Sequence, residues 1–226
     1  MTPTDSKIPV VAIDGPAGTG KTTVARCVAV RLGFAFLDSG AMYRAATWRV
    51  INSGISLDDT EAIIRSTHAM QLCMRGGNVF VDGRDVTSAI RTPEVTRTIR
   101  ALDGIPEVRA RLGALQREIG TSQPTVAEGR DMGTVVFPDA VCKIYLDADL
   151  EERARRRAKE LVRQGAPGTV DDVKADIRAR DENDRNREEA PLRAAENAHR
   201  IDTTGMTFEE VVERVVTLAQ DALGAA

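Results

Sequence analysis

The segment Gly15-Pro16-Ala17-Gly18-Thr19-Gly20-Lys21-Thr22 constrains the fold more than any other stretch of this chain. It fits the pattern GxxxxGK[ST] and stands between a short apolar run, Val10 to Ile13, and a segment of helical periodicity. A strand, a glycine-rich loop and a helix in that order turn backbone N–H groups inward around an anion, and the helix N-terminus adds favourable partial charge. In that setting Lys21 reaches the terminal phosphates of a nucleotide, Thr22 can bind Mg²⁺ and Thr23 continues the helix start.

Apolar runs recur along the rest of the chain at Phe34 to Leu37, Thr125 to Ala127, Val141 to Leu146 and His199 to Ile201. Helical segments separate them, which is the rhythm of a parallel sheet built from βα units. Val24, Val28 and Leu32, with Ala25 and Ala29, form one helix face; Phe208, Val211, Val215, Leu218 and Ala222 form another. The expected fold is therefore α/β, a P-loop NTPase fold with a five-stranded parallel sheet flanked by helices. Between the second and third runs the pattern changes to alternation. Met70, Leu72 and Met74, then the turn Gly76-Gly77-Asn78, then Val79 to Val81 before Asp82-Gly83, predict a small antiparallel insert with both methionines packed beneath it. The expected organisation is one domain: core 8–58, 88–150 and 195–226, an acceptor-side insert at about 59–87, a lid at about 151–170 and an acceptor-binding helix at about 171–190.

The net charge of −3 gives no global field toward nucleic acid or membrane, so any anion site must be built locally. Cys27, Cys73 and Cys142 lie far apart, without a CxxC pair or clustering with His68 or His199, and each is expected to be a small buried residue. The opening MTPTDSK lacks the basic start and apolar core of a signal peptide, and no apolar run approaches the roughly 20 residues that span a bilayer. A cytoplasmic monomer, with no nucleic-acid or membrane partner, is expected.

A phosphate-binding loop alone does not separate a kinase from a GTPase, a motor or a regulatory ATPase. A guanine-reading NKxD segment is absent, and the DxxG match Asp202-Thr203-Thr204-Gly205 follows the last strand with too little chain after it. Three other segments suggest an acceptor apparatus. Leu37-Asp38-Ser39-Gly40-Ala41-Met42-Tyr43-Arg44 follows the second run, at the carboxyl edge where open α/β sheets bind ligands. Glu128-Gly129-Arg130-Asp131-Met132-Gly133-Thr134 follows the third, again joining acid to arginine. Arg178 to Arg187, read as a helix, places Arg180, Asp184 and Arg187 on one face by their i, i+4, i+7 spacing. Upstream, Glu151 to Arg163 is an arginine-dense helix in which Arg153 and Arg157 share a face and Ala154, Ala158 and Leu161 pack. The hinge-like Gly165-Ala166-Pro167-Gly168 after it predicts a lid over ATP.

Taken together, GPAGTGKTT, LDSGAMYR, the stretch from Ile90 to Arg109, EGRDMGTVVFP and RDENDRNR followed by APL resemble the bacterial cytidylate kinases, in the nucleoside monophosphate kinase group of P-loop proteins. The resemblance runs over nearly the whole chain and implies phosphoryl transfer from ATP, with Mg²⁺, to CMP or dCMP. It implies that Arg44, Arg130 and Arg187 hold the acceptor phosphate, that Ser39, Arg180 and Asp184 meet the ribose, and that Arg109 with Asp131 reads the cytosine. Lys21, Arg153 and Arg157 would act on the transferred phosphoryl. Two positions depart from the family pattern: Arg100 stands where a base-contacting serine is common, and Glu128 where aspartate is common. The residues themselves leave open a kinase for UMP, AMP or a hydroxy acid, and a regulatory P-loop ATPase without an acceptor.

Overall fold

The computed structural model describes residues 8–163 and 168–225. The chain divides into two compact units, one of residues 1–36 with 120–226 and one of residues 37–119.

The first unit is built on strands β1 (Val10–Asp14), β6 (Thr125–Gly129), β7 (Cys142–Asp147) and β8 (His199–Asp202), joined at one edge by β2 (Ala35–Asp38), which enters through Ala35 and Phe36. The sheet order is β2-β6-β1-β7-β8. Parallel registers pair Val11 with Val126 and Cys142, and Ile144 with His199. Every residue of β1 and β6 is buried, as expected of central strands covered on both faces. Helices α1 (Lys21–Leu32) and α8 (Phe208–Gly224) lay Val24, Val28, Val211 and Val215 on that sheet beside Val11, Ile13, Val126 and Ile144. The five predicted runs thus become the five strands. Helices α6 (Leu150–Arg163) and α7 (Val170–Asn186) form a smaller cluster in which Ala154, Ala158, Val173 and Ile177 pack on Ala17. Of the predicted hinge, Gly165, Ala166 and Pro167 lie outside the described residues.

The second unit holds helices α2 (Ser39–Asn52), α3 (Thr60–Ala69), α4 (Pro93–Asp103) and α5 (Pro106–Gly120, whose last residue falls in the first unit), with the antiparallel strands β3 (Leu72–Arg75), β4 (Asn78–Val81) and β5 (Arg84–Asp85). The hairpin turns at Gly76-Gly77 and Asp82-Gly83 have positive φ at both central residues, the turn type whose twist matches antiparallel strands. Asp82, the non-glycine residue among them, is held there because its carboxylate accepts from the Gln71 N–H at 2.9 Å and from Arg49 Nε at 2.7 Å. Met70 is buried, as expected, and Met74 is partly so. The cysteines differ from expectation. Cys142 is buried and Cys27 half-buried, but Cys73 is exposed, because it alternates away from Leu72 and Met74 on the short strand β3.

Candidate active site

The glycine loop is shaped by its neighbours as much as by any ligand. Gly15 has φ +149°, and a Cβ there would lie 2.0 Å from the Leu146 carbonyl oxygen of β7, so only glycine lets β1 leave the sheet at this point. Gly18, at φ +80°, faces the backbone of Arg153 and the side chain of Ile177. Gly20 is the left-handed N-cap of α1 and has open space around it. No side chain caps α1, and its first turn holds no acidic residue, so the helix N-terminus keeps its N–H groups for an anion.

Lys21 is buried, and its ammonium folds back on the loop, donating to the Pro16 carbonyl at 2.7 Å. Burial, followed by the nearby Arg130 guanidinium, pushes its pKa down to about 7, against the opposing pull of Glu128. An incoming polyphosphate would restore the charge. Thr22 donates its hydroxyl to Glu128 at 2.8 Å, which joins the start of α1 to the end of β6.

The β6 turn is fixed from below by Asp14, the residue before the glycine loop. Its carboxylate accepts from the Met132 and Gly133 N–H groups at 2.9 and 2.8 Å. Burial nevertheless pushes this carboxyl up to about 6. The turn is a short π-helical segment, Met132–Val136, directly after Arg130 and the buried Asp131. A strand that ends in a buried acid immediately before a glycine loop is a signal that sequence reasoning passed over.

Arg130 leads from this turn to α7. Its Nε donates to Asp184 at 2.8 Å, and Arg187 donates to the other Asp184 oxygen at 2.5 Å. Burial works against charge on both Arg130 and Asp184, but their attraction prevails: the Arg130 pKa is raised and the Asp184 pKa lowered. Two details differ from the sequence reading. Helix α7 ends at Asn186 and Arg187 is its extended C-cap, so Arg187 reaches Asp184 from beyond the helix rather than along one helical face. The inward face of α7 is instead Val173, Ile177, Asp181 and Asp184, while Arg180 is half-buried beside it. This stripe was legible in the i, i+4, i+8, i+11 spacing once its apolar members were followed into the acids.

Arg153, expected to act on the transferred phosphoryl from a lid, is held by bonds of its own. It is buried, donating to the carbonyls of Ala148 at 2.9 Å and Ala17 at 3.0 Å and pairing with Asp181 at 2.5 Å. Ala154, Ala158 and Leu161 do supply packing, and Arg153 shares that side. Arg156, which the sequence did not single out, also anchors α6: it donates to the Thr203 carbonyl at 2.7 Å and hydroxyl at 2.9 Å. Arg157 is more open and pairs with Glu160 at 2.7 Å.

The remaining candidates belong to the second unit. Ser39 opens α2 and is buried; Asp38, the N-cap, accepts from the Ala41 N–H at 2.8 Å. Arg44 donates to the Thr96 hydroxyl at 2.7 Å. Arg109 stacks over Tyr43 with its guanidinium 5.7 Å from the ring centroid and donates to the Asp103 carbonyl. Arg100 is exposed on α4. Among the described residues no group of three or more His, Cys, Asp or Glu is placed to hold a metal, and no helix is long and apolar enough to cross a membrane.

The family model described as "Cytidylate kinase" matches residues 11–221. A cytidylate kinase from Rhodopirellula baltica is 47% identical over 96% of this chain and 94% of its own. Another, from Caldanaerobacter subterraneus subsp. tengcongensis, is 47% identical over 91% of this chain and 92% of its own. Among solved structures, a gluconokinase from Sinorhizobium meliloti superposes with a TM-score of 0.50 at 14% identity, covering 97% of this chain and 96% of that one, a likeness of fold alone.

Proposed function

We propose, since the chain belongs to the cytidylate kinase family, that it transfers the terminal phosphoryl group of ATP to CMP or dCMP, releasing ADP and the nucleoside diphosphate. The observation that carries this reading is the Arg130–Asp184–Arg187 cluster, built into the same unit as the glycine loop. An ATPase without an acceptor has no use for a second buried anion-binding group, whereas a nucleotide kinase needs one for the acceptor phosphate.

Catalysis in this reading is positioning and charge neutralisation. An acceptor phosphate oxygen, already anionic, forms the new P–O bond as the bond from the γ-phosphorus to the β,γ-bridging oxygen breaks, and no side chain need act as nucleophile. Residues Gly15 to Thr23 cradle the ATP phosphates, and Lys21 with Arg157 carries positive charge to the transferred group. Arg153 acts through the loop it grips. Arg44, Arg130 and Arg187 hold the acceptor phosphate, and Ser39 and Arg180 meet the ribose. Asp184 first orients its two arginines, which leaves about two of its four lone-pair sites for a ribose hydroxyl. Asp131 and Arg109 read the base.

The hydroxyl of Thr22 beside the Glu128 carboxylate is a hard-oxygen donor set, which fits a Mg²⁺ ion held mainly by phosphates and water. That ion supplies neutralisation of the phosphate charge when ATP is bound. A cytoplasmic monomer completes this reading, and no helix among the described residues is long and apolar enough to cross a membrane.

The test is ADP release against a panel of nucleoside monophosphates. Cytosine offers an amino donor where uracil offers an acceptor, so UMP leaves two polar groups of the site mismatched, at about 1–3 kcal/mol each. The expected kcat/KM preference for CMP over UMP is roughly 10² to 10⁴. Turnover of UMP within about tenfold of CMP, or ADP release indifferent to acceptor, would sink the assignment.

A further inference from the structure

The proposed chemistry has no assigned place for Asp181, yet its buried carboxylate grips the glycine loop. One oxygen accepts from the Ala17 N–H at 3.1 Å and the other pairs with Arg153 at 2.5 Å. Arg153 in turn donates to the Ala17 carbonyl at 3.0 Å, so both backbone polar groups of Ala17 are held by one ion pair. A second bond, from Arg153 to the Ala148 carbonyl after β7, ties the pair to the sheet. Ala17 lies between Gly15 and Gly18, both at positive φ.

We infer that Asp181 and Arg153 form a positioning pair that sets the conformation of the ATP-binding loop and ties it to the helix carrying the acceptor cluster. The physical link is α7. Asp181 holds the loop, and Asp184, less than one turn further on, holds Arg130 and Arg187. Ile177, one turn earlier, presses on Gly18, and with Val173 packs on Ala17. A shift of α7 that brings the acceptor arginines onto a phosphate therefore moves the two groups that shape the donor loop. Removing the pair frees the loop while leaving the acceptor cluster its own bonds.

The inference rests on the reading that ATP binds this loop, and the ATP-affinity arm of its test does not depend on which acceptor is used. Binding of Mg·ATP and of CMP is measured by calorimetry for the wild type, Asp181→Asn and Arg153→Lys. Asp181→Asn keeps an acceptor for Ala17 but loses the charge that holds Arg153. Its ATP dissociation constant is expected to rise about 10- to 100-fold, the loss of one or two bonds to a charged group, while CMP alone binds within about twofold of wild type. In the wild type, saturating CMP should tighten binding of a non-hydrolysable ATP analogue, and the variant should lose that tightening. Arg153→Lys, which keeps the ion pair but cannot reach both carbonyls, should show a smaller rise and serves if Asp181→Asn does not fold. Unchanged ATP affinity in a folded variant, or equal losses for ATP and CMP, overturns the inference. Failure of wild-type protein to phosphorylate CMP would instead overturn the proposed function and leave this result standing.

Discussion

Replacing Asp184 tests how the acceptor cluster is held together. Asp184 is 3% exposed, and its carboxylate receives two guanidiniums, from Arg130 and Arg187, which are themselves largely buried. Asp184→Ala removes this carboxylate from both guanidiniums. Breaking a buried ion pair from one side costs about 3–5 kcal/mol, and in a chain of this size each kcal/mol moves Tm by about 2–4 °C. The expected fall is on the order of 10 °C, and about half as much for Asp184→Asn, which keeps the shape and one acceptor.

The pH dependence gives an independent check. Burial raises the Asp184 pKa, but Arg130, then Arg187 and Arg180, outweigh it and hold it below 3.8. A carboxylate depressed in the folded state stabilises above its unfolded pKa and loses that contribution as pH falls through the folded value. The Tm gap between wild type and Asp184→Asn should therefore stay constant from about pH 8 to 5 and narrow below about pH 4. Thermal unfolding followed by circular dichroism across this range reads both quantities. Kinetics with CMP and dCMP then separates the roles: a ribose contact makes Asp184→Asn lose about tenfold more kcat/KM on CMP than on dCMP. A Tm within about 2 °C of wild type refutes the energetic argument, and equal losses on both acceptors refute the ribose contact.

Lys21→Met should abolish transfer, by at least about 10²-fold, without lowering Tm, because the ammonium is buried at a cost that methionine does not incur. Since burial lowers the Lys21 pKa to about 7, ATP binding at pH 8 should take up close to one proton, and below about pH 6 almost none. Calorimetry in buffers of different ionisation enthalpy measures this uptake, and persistence of it in Lys21→Met would assign the proton elsewhere. Gly15→Ala should lower Tm well beyond Gly20→Ala, since the first drives a methyl into the Leu146 carbonyl and the second meets only the left-handed strain of about 1–2 kcal/mol. Equal Tm values for the two would show that β7 yields at Gly15.

The sequence by itself determined the features that depend on local order and periodicity. Five runs became five strands, and the three central ones, β6, β1 and β7, are almost wholly buried because a parallel strand covered on both faces must be apolar on both, whereas edge strand β8 buries only Ile201. The glycine loop was legible because positive φ, a following amphipathic helix and a lysine at fixed spacing leave few other uses. The tertiary structure decided which polar side chain meets which. Arg153 and Arg157 are one helical turn apart with similar neighbours, yet one is buried on Ala17 and the other pairs near the surface with Glu160. Asp181 and Asp14 read as ordinary acids in sequence and become supports of the loop and of the β6 turn, respectively. The physical reason is range: strand and helix patterns are set by residues a few positions apart. The bonds of Ala17 to Asp181, Met132 to Asp14 and Arg130 to Asp184 span 164, 118 and 54 positions, so they exist only once the sheet has brought those segments together.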